Sequence, residues 1–136
     1  MKDAVVRELA AVLDTTDMRE ERARLAVEVV RKARDYRWVG IYDVDDNEIE
    51  IVGHTGVQAP AFVRFAATEG LCGDVIRTRS MVVRNQPLPS EAVVPILGAE
   101  SGIVVGVLDV ESDRGFDDVD RDFLEACTPA LMPLFE

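Results

Sequence analysis

Apolar residues recur at helical spacing twice near the start of the chain. Val5, Val6, Leu9, Val12 and Leu13 predict a short helix over 3–13, which Thr15 and Thr16 interrupt. Asp17 then stands where an N-cap belongs, with Glu20 three residues on as in a capping box. The second helix is expected to run to about Arg34, with Leu25, Ala26, Val29, Val30 and Ala33 as its apolar stripe. Glu20 with Arg24, and Glu28 with Lys32, are spaced for i,i+4 pairs worth a few tenths of a kcal/mol each.

From Arg37 the period changes to two. Residues 37–43 read as a strand, 45–47 as a turn, and 48–54 as the returning arm of a hairpin. A further strand is expected near 61–66, and a short helix in the segment EGLCGDVIRTR. Met81–Arg84 is a short strand, and Pro87 and Pro89 make 85–90 a loop. Strands follow at 92–97 and 103–111. A last helix opens at Asp117 as N-cap, with Val119, Phe123, Cys127 and Leu131 at i,i+4 steps, until Pro129 kinks or ends it. Hairpins dominate this order, which predicts an α+β layer fold: a mainly antiparallel sheet with helices on one face.

Length then limits the architecture to one domain. The 136 residues do not suffice for two independent cores. The expected division is 1–35 for the N-terminal helices, 36–111 for sheet and pocket, and 117–135 for the C-terminal helix. No apolar run approaches the ~20 residues of a membrane span, and the start lacks the apolar core of a signal peptide. A cytoplasmic location without membrane attachment is the expectation. The net charge is −11, with residues 1–35 neutral, 36–108 at −4 and 109–136 at −7. Such a chain repels phosphate backbones, so nucleic acid is not an expected partner. Two cysteines and one histidine exclude a disulfide framework, a zinc site and any site needing two imidazoles. No metal or cofactor is expected.

Candidate chemistry concentrates in acids. Asp109 and Glu111 lie two apart on an otherwise apolar strand, hence on one face, with Cα atoms ~6–7 Å apart. Period two puts Ile103, Val105 and Val107 on that face too. If a three-residue loop joins the last two strands, Glu91 faces Asp109 and three carboxylates meet. A two-residue loop would set Glu91 against Val110 and disperse them. Clustered carboxylates raise one another's pKa and suit an ammonium group, a metal ion or proton transfer. The plainer alternative is a strand end that emerges into water. Trp38, the only tryptophan, shares a face with Gly40 and Tyr42, as core or as the wall of an apolar pocket. Cys72, in GLCGD at a helix start, would have its thiol pKa lowered there, or is a small buried residue between glycines. Cys127 reads as packing, and His54 as structural or solvated. Gly70 and Gly73 lack the Lys-Ser or Lys-Thr of a phosphate loop. Arg64 and Arg84 are the basic residues placed near the pocket.

The stretches RWVGIYDVDDNEIEIVGHTG, FVRFAATEGLCGDVIRTRSMVV, SEAVVPI and GIVVGVLDVESDRGFDDVDRDFLEA resemble a GAF domain over nearly the whole chain. Within that family the likeness is to the free methionine-R-sulfoxide reductases. The resemblance implies a six-stranded antiparallel sheet with helices on one side and a small-ligand pocket on the other. It also implies that Trp38, Glu91 and Asp109 match residues lining the sulfoxide site, with Glu111 where an Asp is usual. The cysteines depart from the pattern. Phe62 stands where one family cysteine would be, and Cys72 matches a second. The loop that carries the attacking cysteine is shortened here to NQPLPS and has none. Sulfoxide reduction needs a thiolate at sulfur and a second thiol to resolve the sulfenic acid.

Three functions stay open on these residues. One is a small-molecule-binding sensor or regulatory module without redox catalysis, its ligand carrying a cationic amino group held by Trp38, Tyr42, Glu91, Asp109 and Glu111. A second is a divergent methionine-R-sulfoxide reductase that uses Cys72 with an external thiol. The third is a structural or regulatory module with an empty pocket that pairs as a homodimer through its N- and C-terminal helices.

Overall fold

The computed structural model describes residues 2–57, 60 and 63–136. Two helices come first, α1 (Lys2–Leu13) and α2 (Arg19–Ala33). The strands β1 (Trp38–Val44), β2 (Glu48–Gly56) and β3 (Arg64–Ala66) follow. The short helix α3 (Gly70–Thr78) leads to β4 (Val82–Arg84), β5 (Ser90–Leu97) and β6 (Val104–Ser112). Helix α4 (Asp118–Ala130) and a 3-10 turn over Met132–Phe135 end the described chain. The element order is the expected one. The outer part of the strand expected near 61–66, with Phe62, lies outside the described residues.

The six strands form one antiparallel sheet in the order β3-β2-β1-β6-β5-β4. Strand alternation sends two apolar sets to opposite faces. Val39, Ile41, Ala92, Val94, Ile96, Leu108 and Val110 pack against α1, α2 and α4 through Leu9, Val27, Val30, Phe123 and Leu124. Trp38, Tyr42, Val93 and Val107 face the other way, where α3 covers part of the sheet with Cys72 and Val75. Helices α1, α2 and α4 thus lie on one side of the sheet, and α3 covers part of the other.

Local signals held at one end and slipped at others. Asp117 caps α4 as expected: its Oδ1 accepts from the Asp120 amide at 2.9 Å, and Asp120 Oδ2 accepts from the Asp117 amide at 3.0 Å. Asp17 does not cap α2. The N-cap is Met18, whose carbonyl accepts the first helical bond from Arg22 at 2.9 Å, so Asp17 stands one residue too early. The Glu20–Arg24 pair does not form, because Arg24 turns to Glu21 instead. Glu28 does meet Lys32, at 3.6 Å, and Arg31 more closely at 2.6 Å. Val119 is exposed, and Phe116, just before the helix, fills that end of the core against Tyr36. Pro129 sits in the last turn of α4, which gives way to the 3-10 turn.

The carboxylate of Asp120 is fully buried where α2, α4 and the β6–α4 connection meet. Arg34 Nε donates to it at 2.6 Å, Tyr36 Oη at 2.8 Å and Arg114 Nη1 at 2.9 Å. Burial alone would raise its pKa. The donors Arg114, the Asp117 amide, Arg34 and Tyr36 outweigh that and hold it below the usual carboxylate range. Burial and the same hydrogen bond push the Tyr36 hydroxyl up. A second tie fixes the C-terminal end. Arg19 donates to Asp43 Oδ2 at 2.7 Å and to the Leu134 carbonyl at 2.8 Å, with its guanidinium 5.3 Å from the Phe135 ring centre.

Candidate functional site

The register of β5 and β6 decides whether the acids meet. Glu91 pairs directly with Glu111, not with Asp109 as expected; Val93 is the residue opposite Asp109. The difference is two residues, an even number, so Glu91, Asp109 and Glu111 keep their common face. Two one-residue irregularities cause it: the connecting loop is one residue longer than expected, so Leu97 pairs with Val104, and a bulge follows, so Ile96 pairs with Gly106. The extra residue, Val105, packs with the helix-side core rather than on the acid face. Ile103 is exposed outside the strand. Glu91, Asp109 and Glu111 therefore share one face, with Glu91 diagonal to Asp109.

Neighbouring elements fix each acid. Ser90, buried at the start of β5, donates to the carbonyls of Ser112, at 3.2 Å, and Arg114. Its successor Glu91 is thereby turned to the opposite face. On β1, Trp38 pairs with Glu111, Gly40 with Asp109 and Tyr42 with Val107. The indole lies flat over Gly40, where a Cβ would come within 2.2 Å of its Cη2. Gly56 admits the same residue from β2: its φ is +136°, and a Cβ would meet Trp38 Cα at 2.7 Å. Trp38 and Tyr42 are 3% and 4% exposed. The Trp38 ring stacks on His54, with centres 6.2 Å apart, and Tyr42 meets Phe65 edge-on at 5.6 Å.

The electrostatics are unbalanced. Asp109 is 7% exposed, and its Oδ1 is buried without a hydrogen-bond partner. Burial, then the charge of Glu91, a hydrogen bond with Glu91 and the charge of Glu111 push the Asp109 carboxyl well up; Arg84 opposes them. Burial and Glu91 also raise Glu111, against Arg37 and Arg84. The Tyr42 hydroxyl is raised by burial first and then by Asp109. Arg84 reaches Glu91 at 3.8 Å and donates to the Pro89 carbonyl at 3.2 Å. Arg64 is no part of this group; it pairs with Glu48, at 3.3 Å, and Glu50 on the outer face of the β2–β3 edge. Its place is taken by Arg37, which also meets Asp113 at 3.0 Å.

Cys72 is the third residue of α3 and buried. Its thiol is pushed up, not down, by burial and then by Asp109 and Glu91. The helix terminus cannot offset desolvation beside two acids. Cys127 is likewise free and buried, raised by burial to about 12. Among the described residues no three His, Cys, Asp or Glu side chains are disposed to hold a metal ion. No described helix is long and apolar enough to cross a membrane.

The structure brings the three acids, Trp38 and Tyr42, all singled out from the sequence pattern, to one sheet face. The pattern missed Arg37 and the stacking partner His54. It also missed that Gly40 is the bed of the indole, which its position two residues from the tryptophan on a strand signals.

Comparison with solved structures places this fold. A protein described as a GAF sensor from Burkholderia vietnamiensis is 28% identical, with a TM-score of 0.84 over 97% of this chain and 86% of that one. The free methionine-R-sulfoxide reductase of Neisseria meningitidis, solved with its substrate, is 25% identical, with a TM-score of 0.83 over 98% and 87%. The GAF domain of an Acinetobacter phosphoenolpyruvate-protein phosphotransferase, at 19% identity, a TM-score of 0.83 and coverage of 99% and 93%, shares the fold. No curated protein matches the sequence. The family model for the GAF domain matches residues 16–129, and this chain belongs to the GAF family.

Proposed function

We propose that this GAF domain binds a small molecule carrying a cationic amino group, and acts as a sensor or regulatory module without redox catalysis. Trp38, Tyr42, Glu91, Asp109 and Glu111 are the residues we assign to the ligand. The observation that carries this reading is the unmatched Oδ1 of buried Asp109 beside two further acids. A buried acid without a donor is costly, and an ammonium group supplies both the charge and the N–H donors it lacks. The indole face adds a surface on which a cation or a thioether can rest. The relative described as a GAF sensor supports the sensor role, and the free methionine-R-sulfoxide reductase solved with its substrate supports an amino-acid-sized ligand.

Calorimetric titration with L-methionine, its two sulfoxides and simple alkylamines tests this. Binding should appear for amines and vanish for des-amino analogues of the same shape. At a hundredfold excess over Kd the folded state should gain about 2.7 kcal/mol. No heat and no stabilisation by any amine at millimolar concentration sinks the reading.

One observation favours a second reading. The charges of Asp109 and Glu91 act on the Cys72 thiol, so it lies at the same site. As a reductase the chain would take sulfoxide to sulfide and water while two thiols become a disulfide; Cys72 supplies one and an external thiol the other. Incubation with methionine R-sulfoxide and dithiothreitol decides it: turnover lost in Cys72→Ser would establish this chemistry, and no turnover would retire it. Pairing of two copies through the terminal helices is the third reading. A groove of about 380 Å³ between α1 and α2, lined by Val5, Val12, Leu25 and Val29 together with Glu8, Glu28 and Lys32, offers a surface for it at the N-terminal helices. A monomer in light scattering at micromolar concentration would count against it.

A further inference from the structure

Three features meet at Asp109, and together they say how a cation would enter. Its Oδ1 is buried and has no hydrogen-bond partner. Glu91 stands diagonal to it on the same sheet face, near enough for its charge to act on Asp109. Two carboxylates are acceptors only, so this pair can hydrogen-bond only when one of them carries a proton. The groups that face Asp109 do not supply a replacement. Glu111 comes from its own strand and Glu91 from β5; Tyr42 faces it from β1 and Cys72 from α3. The cation acting on it is Arg84 of β4, which is turned to Glu91 at 3.8 Å and to the Pro89 carbonyl.

We propose that ligand recognition here is proton-coupled: Asp109 and Glu91 share one proton in the ligand-free protein, and an entering alkylammonium group displaces it to solvent. This rests on the assignment of the site to a cationic ligand and says how that site is regulated. The exchange balances. The carboxyl O–H bond breaks, the proton passes to buffer, and the ammonium N–H groups take over the two oxygens. One positive charge leaves as one enters, so the buried group keeps its net charge, and the ammonium and the carboxylate it meets are desolvated as a pair. A neutral molecule of the same shape has nothing to exchange. The affinity of a permanently charged ammonium ligand should then rise by up to about tenfold per pH unit while the pair remains protonated.

The test titrates the whole chain with L-methionine, whose amino and carboxyl groups keep their charges between pH 5.5 and about 7.5. The heat is compared at one pH in phosphate and Tris buffers, which differ in ionisation heat. About one proton released per site, abolished in Glu91→Gln, is the expected result. Binding with no buffer-dependent heat overturns proton coupling and leaves the cation site standing. In parallel, the carboxyl carbon of Asp109 is followed by NMR in the ligand-free protein from acid to neutral pH. A signal that titrates like an exposed aspartate overturns the shared proton even if methionine fails to bind. A signal that stays protonated toward neutrality, with no binding, keeps the shared proton and removes the ligand assignment instead.

Discussion

Two buried aspartates stand on opposite faces of one sheet region and meet opposite fates. Asp120 is fully buried and receives Arg34, Tyr36, Arg114 and the Asp117 amide. Asp109 is nearly as buried and faces acids, with one oxygen unmatched. Burial pushes both carboxyls up; donors surround one, and acids face the other. At Asp120 the donors reverse the shift; at Asp109 nothing does. A buried acid is therefore no mark of function in itself. The mark is a buried acid whose partners are missing, because a fold under selection for stability alone would supply them or remove the charge.

The comparison can be broken by mutation. Asp120→Ala should cost about 3–5 kcal/mol, since it leaves two arginines and a tyrosine without their shared acceptor. Urea denaturation reads this, and a loss below about 1 kcal/mol would show that the network is not structural. Gly40→Ala should cost about 1–3 kcal/mol by overpacking and should abolish ligand binding, as the new methyl occupies the bed of the indole. Unchanged binding in that variant would remove Trp38 from the site. Asp109→Asn should do the reverse of Asp120→Ala. Its amide can donate to Glu91, so the protein should gain about 1 kcal/mol at neutral pH while ligand affinity falls. A destabilised Asp109→Asn protein would mean that the acid serves the fold.

The two acids also give opposite pH signatures. A raised native pKa means that the native state binds more protons than the unfolded chain, so stability falls as pH rises above about 3.9 through the native value. That is Asp109, and the advantage of Asp109→Asn should grow from acid toward neutral pH. A lowered native pKa means the opposite. The stability supplied by Asp120 is full above about 3.9 and is lost as pH falls below it. Denaturation curves of wild type and Asp109→Asn from acid to neutral pH should diverge upward; parallel curves would erase the contrast. The smallest effect concerns the thiols. Both are buried and raised, so neither Cys72 nor Cys127 should be alkylated by iodoacetamide in the folded protein near pH 8. Rapid labelling of Cys72 would revive it as a nucleophile.

Much of this was legible in the chain, for physical reasons. Period two on β1 and β6 put Trp38, Tyr42, Asp109 and Glu111 on one face, and a slip of two residues left that intact. The bulge at Val105 was not legible, because nothing in the sequence around it marks which residue will be extra. Nor was the early misplacement of the α2 cap, where Asp17 and Met18 compete within one residue. The contrast between Asp109 and Asp120 was hidden most deeply. Arg34 and Tyr36 lie 86 and 84 positions from Asp120, so only the folded chain shows which aspartate they serve.

The bed of Gly40 beneath Trp38 has a practical consequence. The chain has a single tryptophan, and it lies on the sheet face that carries the acids, opposite Glu111 and stacked on His54. Its emission therefore comes from one place, with no background from elsewhere in the molecule. Any occupant that rests on the indole, shifts His54 or changes the charge beside it alters that light. The protein carries its own optical gauge of occupancy, and it can be screened against ligands without label, tag or engineered probe.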